Sequence, residues 1–136
     1  MPLDPTLTSD GGGGLEREFP PEPLSAPAAR KFVLSLGWSD DSDINIRLAT
    51  VVSEIVTNAI LHARTTFVVS VSPDPTAIRV EVTDGSSSFP ARGKYDPTQP
   101  TGRGLAIVDA MADRWGVATE PTGKTVWFEL ERPGAA

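Results

Sequence analysis

The stretch DINIRLATVVSEIVTNAILHA, residues 43–63, repeats its apolar residues at the period of a helix. Leu48, Val51, Val52, Ile55, Val56 and Ala59 fall on one broad stripe, which predicts a helix with one face buried. Elsewhere the pattern alternates. LEREF (15–19) predicts a short strand stopped by Pro20, Pro21 and Pro23. TTFVVSVSP (65–73) and AIRVEVTD (77–84) are β-branched and alternating, and predict an antiparallel hairpin. SAPAARKFVLSLGW (25–38) predicts a helix with Ser25 as N-cap, Pro27 in the first turn and Gly37 at the C-terminus. SDDSD (39–43) is a turn that offers N-caps to the long helix.

The second half continues the same way. Residues 85–104 are rich in Gly, Pro and Ser, and a loop of about 20 residues in a compact domain is usually a functional lid or mobile. LAIVDAMADRWG (105–116) predicts a helix with Leu105, Val108, Ala112 and Trp115 on one side. VATEP (117–121) and KTVWFELE (124–131) predict a second hairpin. With residues 1–14 read as a flexible, Gly-rich tail and 132–136 as a C-terminal tail, one domain spans 15–131. The element order implies an α+β fold, a two-layer sandwich with helices on one face of a mixed, mostly antiparallel sheet.

Composition narrows the function classes. The chain has 136 residues and a net charge of −6, with a pI near 4.7, which disfavours a phosphate-tracking nucleic-acid binder. It has no cysteine and one histidine, so disulfides, thiolate zinc and multi-histidine metal sites are excluded. No basic segment followed by an apolar run opens the chain, and no uninterrupted apolar run approaches about 18 residues. The expectation is a soluble cytoplasmic protein without a membrane span.

Four places carry candidate chemistry. Glu54, Asn58 and His62 recur every fourth residue at the edge of the long helix's apolar stripe. Solvated groups at an amphipathic boundary account for such a ladder. So does a carboxylate and an amide sharing a magnesium shell with phosphates, or a carboxylate orienting an attacking hydroxyl. Asp84 ends a strand before Gly85, either as a plain Asp-Gly turn or as an acceptor for a ligand amino group. TGRGLAIVDA places Gly102, Arg103 and Gly104 where the loop becomes a helix. That is a hinge or an anion site built from backbone N–H groups. Ile107 stands where a dinucleotide-binding fingerprint needs its third glycine. TGKT (122–125) is not a P-loop, because Ala118 occupies the first glycine position and a strand follows. Lys124 then reads as a solvated hairpin residue, and Thr125 as an inward-pointing hydrogen-bonder.

Together and in this order, these motifs resemble the GHKL ATPases, of which gyrase, MutL and histidine kinases are examples. Among these the chain looks most like the small anti-sigma-factor serine kinases. SEIVTNAILHA resembles the N box, VTDGSSS stands at the first glycine box, TGRGLAIVDAMAD matches the second, and KTVWFEL the closing strand. The resemblance implies a Bergerat-type ATP-binding fold, with ATP and Mg²⁺ as ligands. It implies Asn58 as the magnesium ligand and Glu54 as general base. Asp84 would read the adenine amino group with support from Thr125. Gly102, Arg103, Gly104 and Leu105 would cradle phosphates, and Ser86 and His62 would lie near the nucleotide. The implied activity is serine/threonine phosphorylation of a STAS-type antagonist protein, with a sigma factor as second partner and a homodimer as the assembly. A non-catalytic ATP-binding module that sequesters a partner is the other reading. One departure stands out: the first glycine box usually reads Asp-x-Gly-x-Gly, whereas Ser86, Ser87 and Ser88 follow Gly85 here.

Overall fold

The computed structural model describes residues 7–9, 15–73, 75–86 and 100–132. Among them are helices α1 (Ser25–Ser35), α2 (Ser42–Asn58) and α3 (Pro100–Met111). The strands are β1 (Leu7–Ser9), β2 (Leu15–Phe19), β3 (Phe67–Pro73), β4 (Ala77–Asp84), β5 (Arg114–Glu120) and β6 (Gly123–Glu131). They form one sheet in the order β1-β2-β3-β4-β6-β5. Every pair is antiparallel, so the mixed character expected of the sheet is absent among the described residues. The architecture is α+β, two layers deep.

Register decides what each strand residue faces, because side chains alternate across a strand with period two. Phe19 pairs with Phe67, Phe67 with Asp84, and Asp84 with Lys124. These four make one row on the helix side. Further rows on that side run Val69–Val82–Val126 and Val71–Val80–Phe128, all buried. Phe19 stacks on Phe67 with ring centroids 5.6 Å apart, and meets Phe32 of α1 edge-on at 6.2 Å. The opposite face is polar. There Arg79 contacts Glu81 and Glu129, Arg114 contacts Glu129 and Glu131, and the Arg79 guanidinium lies 4.1 Å above the Trp127 ring.

α2 is the central helix of the second layer. Asp41 caps it, its carboxylate accepting from the N–H groups of Asp43 (2.8 Å) and Ile44 (3.2 Å), which satisfies two donors the helix leaves free. Ile44, Leu48, Val51, Val52, Ile55 and Val56 are buried, each contributing up to about 1.5–3 kcal/mol. Arg47 Nε donates to Met111 O at 3.1 Å and pairs with Asp113 at 3.7 Å. That contact fixes the C-terminal end of α3 against α2. Residues 42–63 are a 22-residue helical stretch of hydropathy 1.4, long and apolar enough by these measures to cross a membrane. Its buried stripe, however, is taken up by the sheet and the neighbouring helices.

Four boundaries differ from the sequence expectation. A strand, β1, lies inside the stretch expected to be a tail. Ser25 is the first helical residue rather than the cap, and its Oγ donates to Pro20 O at 2.7 Å. α3 begins at Pro100 and ends at Met111, so Trp115 belongs to β5 opposite Phe128. Helical spacing misassigned it because Ala112 and Trp115 pack on the core from beyond the helix as well. Finally, α2 gives way after Asn58 to a wider π turn, Ala59–Ala63.

Gly123 at the start of β6 is held by close backbone approach: a Cβ there would lie 2.1 Å from Asp84 O. Gly116 faces only the Trp127 ring, at 2.9 Å. Gly123→Ala is expected to lower the unfolding free energy by about 2 kcal/mol or more, and Gly116→Ala by less, because a side chain can shift where backbone cannot. Urea denaturation of the two variants checks the order.

Candidate functional site

The last α-helical turns of α2 present Glu54 and Asn58, both half-buried. They flank the stripe, between Ile55, Val56 and Ala59 on one side and solvent on the other. Neither side chain makes a hydrogen bond or ion pair among the described residues. Their neighbour Ser53, by contrast, is engaged, accepting from Arg30 at 2.9 Å and donating to Ala49 O at 2.8 Å.

The π turn then carries the third rung of the ladder. It closes with Arg64 N donating to Ala59 O at 3.3 Å, and Arg64 adopts the left-handed conformation, φ 57°, rare for a non-glycine residue. A wider turn advances less per residue than an α-helix, so His62 is held back from the drift into the apolar stripe that a regular helix would impose. Its Nε2 is buried without a partner among the described residues. The His62 pKa is lowered, by burial first and then by the positive charges of Lys124 and Arg64.

At the end of β4, Asp84 is buried. Its Oδ1 accepts from Ser86 N at 2.9 Å, while Gly85 N donates to Thr65 Oγ1 at 2.9 Å, so the Asp-Gly turn is pinned from both sides. Asp84 Oδ2 lies 2.8 Å from Lys124 Nζ, with side-chain exposures of 2% and 6%. Among the described residues the ammonium makes no well-directed hydrogen bond. Its contact with Asp84 is therefore a charge contact with poor direction. Lys124 is not the solvated hairpin residue expected from sequence. It shares a face with Val126, Phe128 and Leu130, and that phase was the available signal.

The same alternation corrects Thr125. It points to the outer face, where its Oγ1 lies 2.8 Å from Thr83 Oγ1, away from Asp84. Gly102, Arg103, Gly104 and Leu105 fall within α3, whose start at Pro100 puts only Gly102 of the four among the N–H groups lacking an intrahelical acceptor. Leu105 is buried. The side chain of Arg103 lies outside the described residues, as do residues 87–99 of the loop expected over 85–104. A small cavity of about 60 Å³ is lined by Asp84, Thr122, Lys124 and Thr125 among others. A larger open depression on α1, about 540 Å³ and lined by Pro27, Arg30 and Leu34, holds none of this chemistry.

The candidate site thus comprises uncommitted polar groups on α2 and a buried Asp–Lys pair at the ends of β4 and β6, on the helix side of an antiparallel sheet. Compared with known families, the chain matches the histidine kinase-like ATPase domain over residues 19–130. It belongs to that family, a family of ATP-binding domains. A comparison with individually curated proteins returns no match.

Among the described residues no three His, Cys, Asp or Glu side chains cluster as a metal cage. Magnesium on a nucleotide needs none, since it keeps phosphate and water oxygens as most of its ligands. The uncommitted amide of Asn58 fits the role of a single protein ligand.

Burial of neutral His62 has a pH signature. Its folded pKa lies below the ordinary 6.5, so the unfolded chain takes up a proton first as pH falls. Stability should therefore decline as pH drops below about 6.5 towards the lowered folded value. Glu129, whose carboxyl is lowered chiefly by its hydrogen bond with Arg114, adds its own loss only once pH falls through the ordinary carboxylate value towards its lowered folded one. Thermal unfolding from pH 7.5 to 5 should show the first decline in the native protein and a flatter profile in His62→Gln.

Proposed function

We propose that the protein is a cytoplasmic Mg-ATP-dependent serine/threonine kinase of the anti-sigma-factor type. Its substrate is a small antagonist with a STAS-type fold, and a sigma factor is its alternate partner. The observation that carries the reading is the Glu54–Asn58 pair: a carboxylate and an amide one helical turn apart, half-buried and committed to nothing among the described residues. Neither is among the buried polar atoms left without a partner, so both stay open to solvent and are available, one turn apart, to an external ligand.

The roles follow from chemistry. Asn58 offers its amide oxygen to magnesium, which when bound neutralises phosphate charge. Glu54 accepts the proton of the acceptor hydroxyl while that oxygen bonds to the γ-phosphorus and the β–γ bridging oxygen leaves with ADP. Phosphoryl transfer asks mainly for positioning and charge neutralisation, and the rigid α2 supplies the positioning. Gly102, at the start of α3, has an N–H without an acceptor inside the helix and offers it to a phosphate oxygen. Asp84 accepts from the adenine amino group.

One specific observation favours the second reading, an ATP-binding module that sequesters its partner without phosphotransfer. Ser86 and Ser88 stand where the motif usually has glycines, and Asp84 is already charge-paired with Lys124. Radiolabelled ATP incubated with the antagonist decides between them. The kinase reading expects Glu54→Ala to reduce transfer by about a hundredfold or more while ATP affinity changes only a few-fold. Transfer that survives the substitution would remove Glu54 as base. A native protein that binds ATP and its partner but transfers no label would favour the sequestering module.

A further inference from the structure

Lys124 is the least explained buried group in the structure. Its side chain is 94% inaccessible, being 6% exposed, yet its three N–H donors find no properly directed acceptor among the described residues. Moving an ammonium out of water costs several kcal/mol even after relaxation, and one ion pair offsets that only when the geometry is good. Here the geometry is not good. The neighbouring His62 Nε2 is likewise buried and unpartnered. An ammonium able to donate to a ligand acceptor therefore lies next to the carboxylate of Asp84, and the imidazole is near enough to feel its charge.

We propose that Lys124 is a base-reading residue, whose ammonium donates to a ring nitrogen flanking the adenine amino group while Asp84 accepts from that amino group. The inference rests on the ATP reading of the site. The chemistry is complementary: an exocyclic amino group is a donor, and the ring nitrogens beside it, N1 and N7, are acceptors. A carboxylate and an ammonium 2.8 Å apart present the matching acceptor and donor. In the free protein the two satisfy each other's charge, which keeps Asp84 from being an isolated buried anion. When the base enters, Lys124 exchanges a badly directed contact for a directed one. Charge-assisted hydrogen bonds are the stronger kind, so this exchange also compensates for opening the pair. Period two puts Lys124, not Thr125, opposite Asp84, which assigns the role to the residue one place earlier than the sequence suggested.

The test compares ATP with 1-deaza-ATP and 7-deaza-ATP by calorimetry, each with Mg²⁺, on the native chain and on Lys124→Met. The native protein should bind one of the two analogues about tenfold or more weakly than ATP. Lys124→Met should bind ATP more weakly and lose most of that discrimination, a coupling that a purely structural ion pair would not produce. If Lys124→Met does not fold, the native chain still decides: equal affinity for ATP and both analogues overturns the proposal. So does a Lys124→Met variant that keeps the full discrimination. A native chain that binds no nucleotide at all overturns the ATP reading instead, and the two failures are distinct.

Discussion

The pairing of β4 with β6 is the constraint on which core and site both depend. One register sends Ile78, Val80 and Val82 to the same side as Val126, Phe128 and Leu130, closing the core beneath α2. The same register, carried one step further, sets Asp84 opposite Lys124 at the end of that row. A slip of one residue would put Arg79, Glu81 and Glu129 beneath the helices and the valines in water. The charged site is therefore an extension of the apolar core, specified by the pattern that buries it. Gly123 completes the arrangement, because its missing side chain lets β6 approach the backbone of Asp84.

The second layer serves this end of the sheet. α2 is capped by Asp41, docked by its apolar stripe and tied to the end of α3 by Arg47, which leaves its C-terminal turns rigid and their flank free. Glu54 and Asn58 use that flank. The π turn then alters the helix where His62 would otherwise rotate into the core, and Arg64 ends it in a left-handed conformation. Strained or irregular backbone of this kind concentrates at functional sites, and here it lies between the α2 ladder and the Asp84–Lys124 pair.

Much of this was legible in the sequence, and the failures have definite causes. The long helix and the β3–β4 hairpin declare themselves because each buries one face, and the period of burial is written in the residues. The Glu54–Asn58 spacing survives unchanged in the structure. The charge of Lys124 reads as solvated, although its phase alternates in step with the buried Val126 and Phe128. Thr125, at the start of the same strand, reads as an inward hydrogen-bonder when taken alone, whereas the alternation of Val126, Phe128 and Leu130 assigns it the outer face. The border between α3 and β5 was hidden because Ala112 and Trp115 reach the core at a helix-like spacing. Nothing in the composition of AILHA marks a π turn, and nothing in LTS, which Asp10 and four glycines follow, marks β1, whose pairing comes from β2.

The central claim is that α2 and the β4–β6 end of the sheet together form a Mg-ATP site. The most direct measurement is calorimetric titration of the native protein with ATP, once with Mg²⁺ and once with the metal chelated. The account predicts saturable binding with Mg²⁺ that weakens markedly on chelation, as expected if Asn58 acts through the metal. Absence of binding up to millimolar ATP in the presence of Mg²⁺ would contradict it.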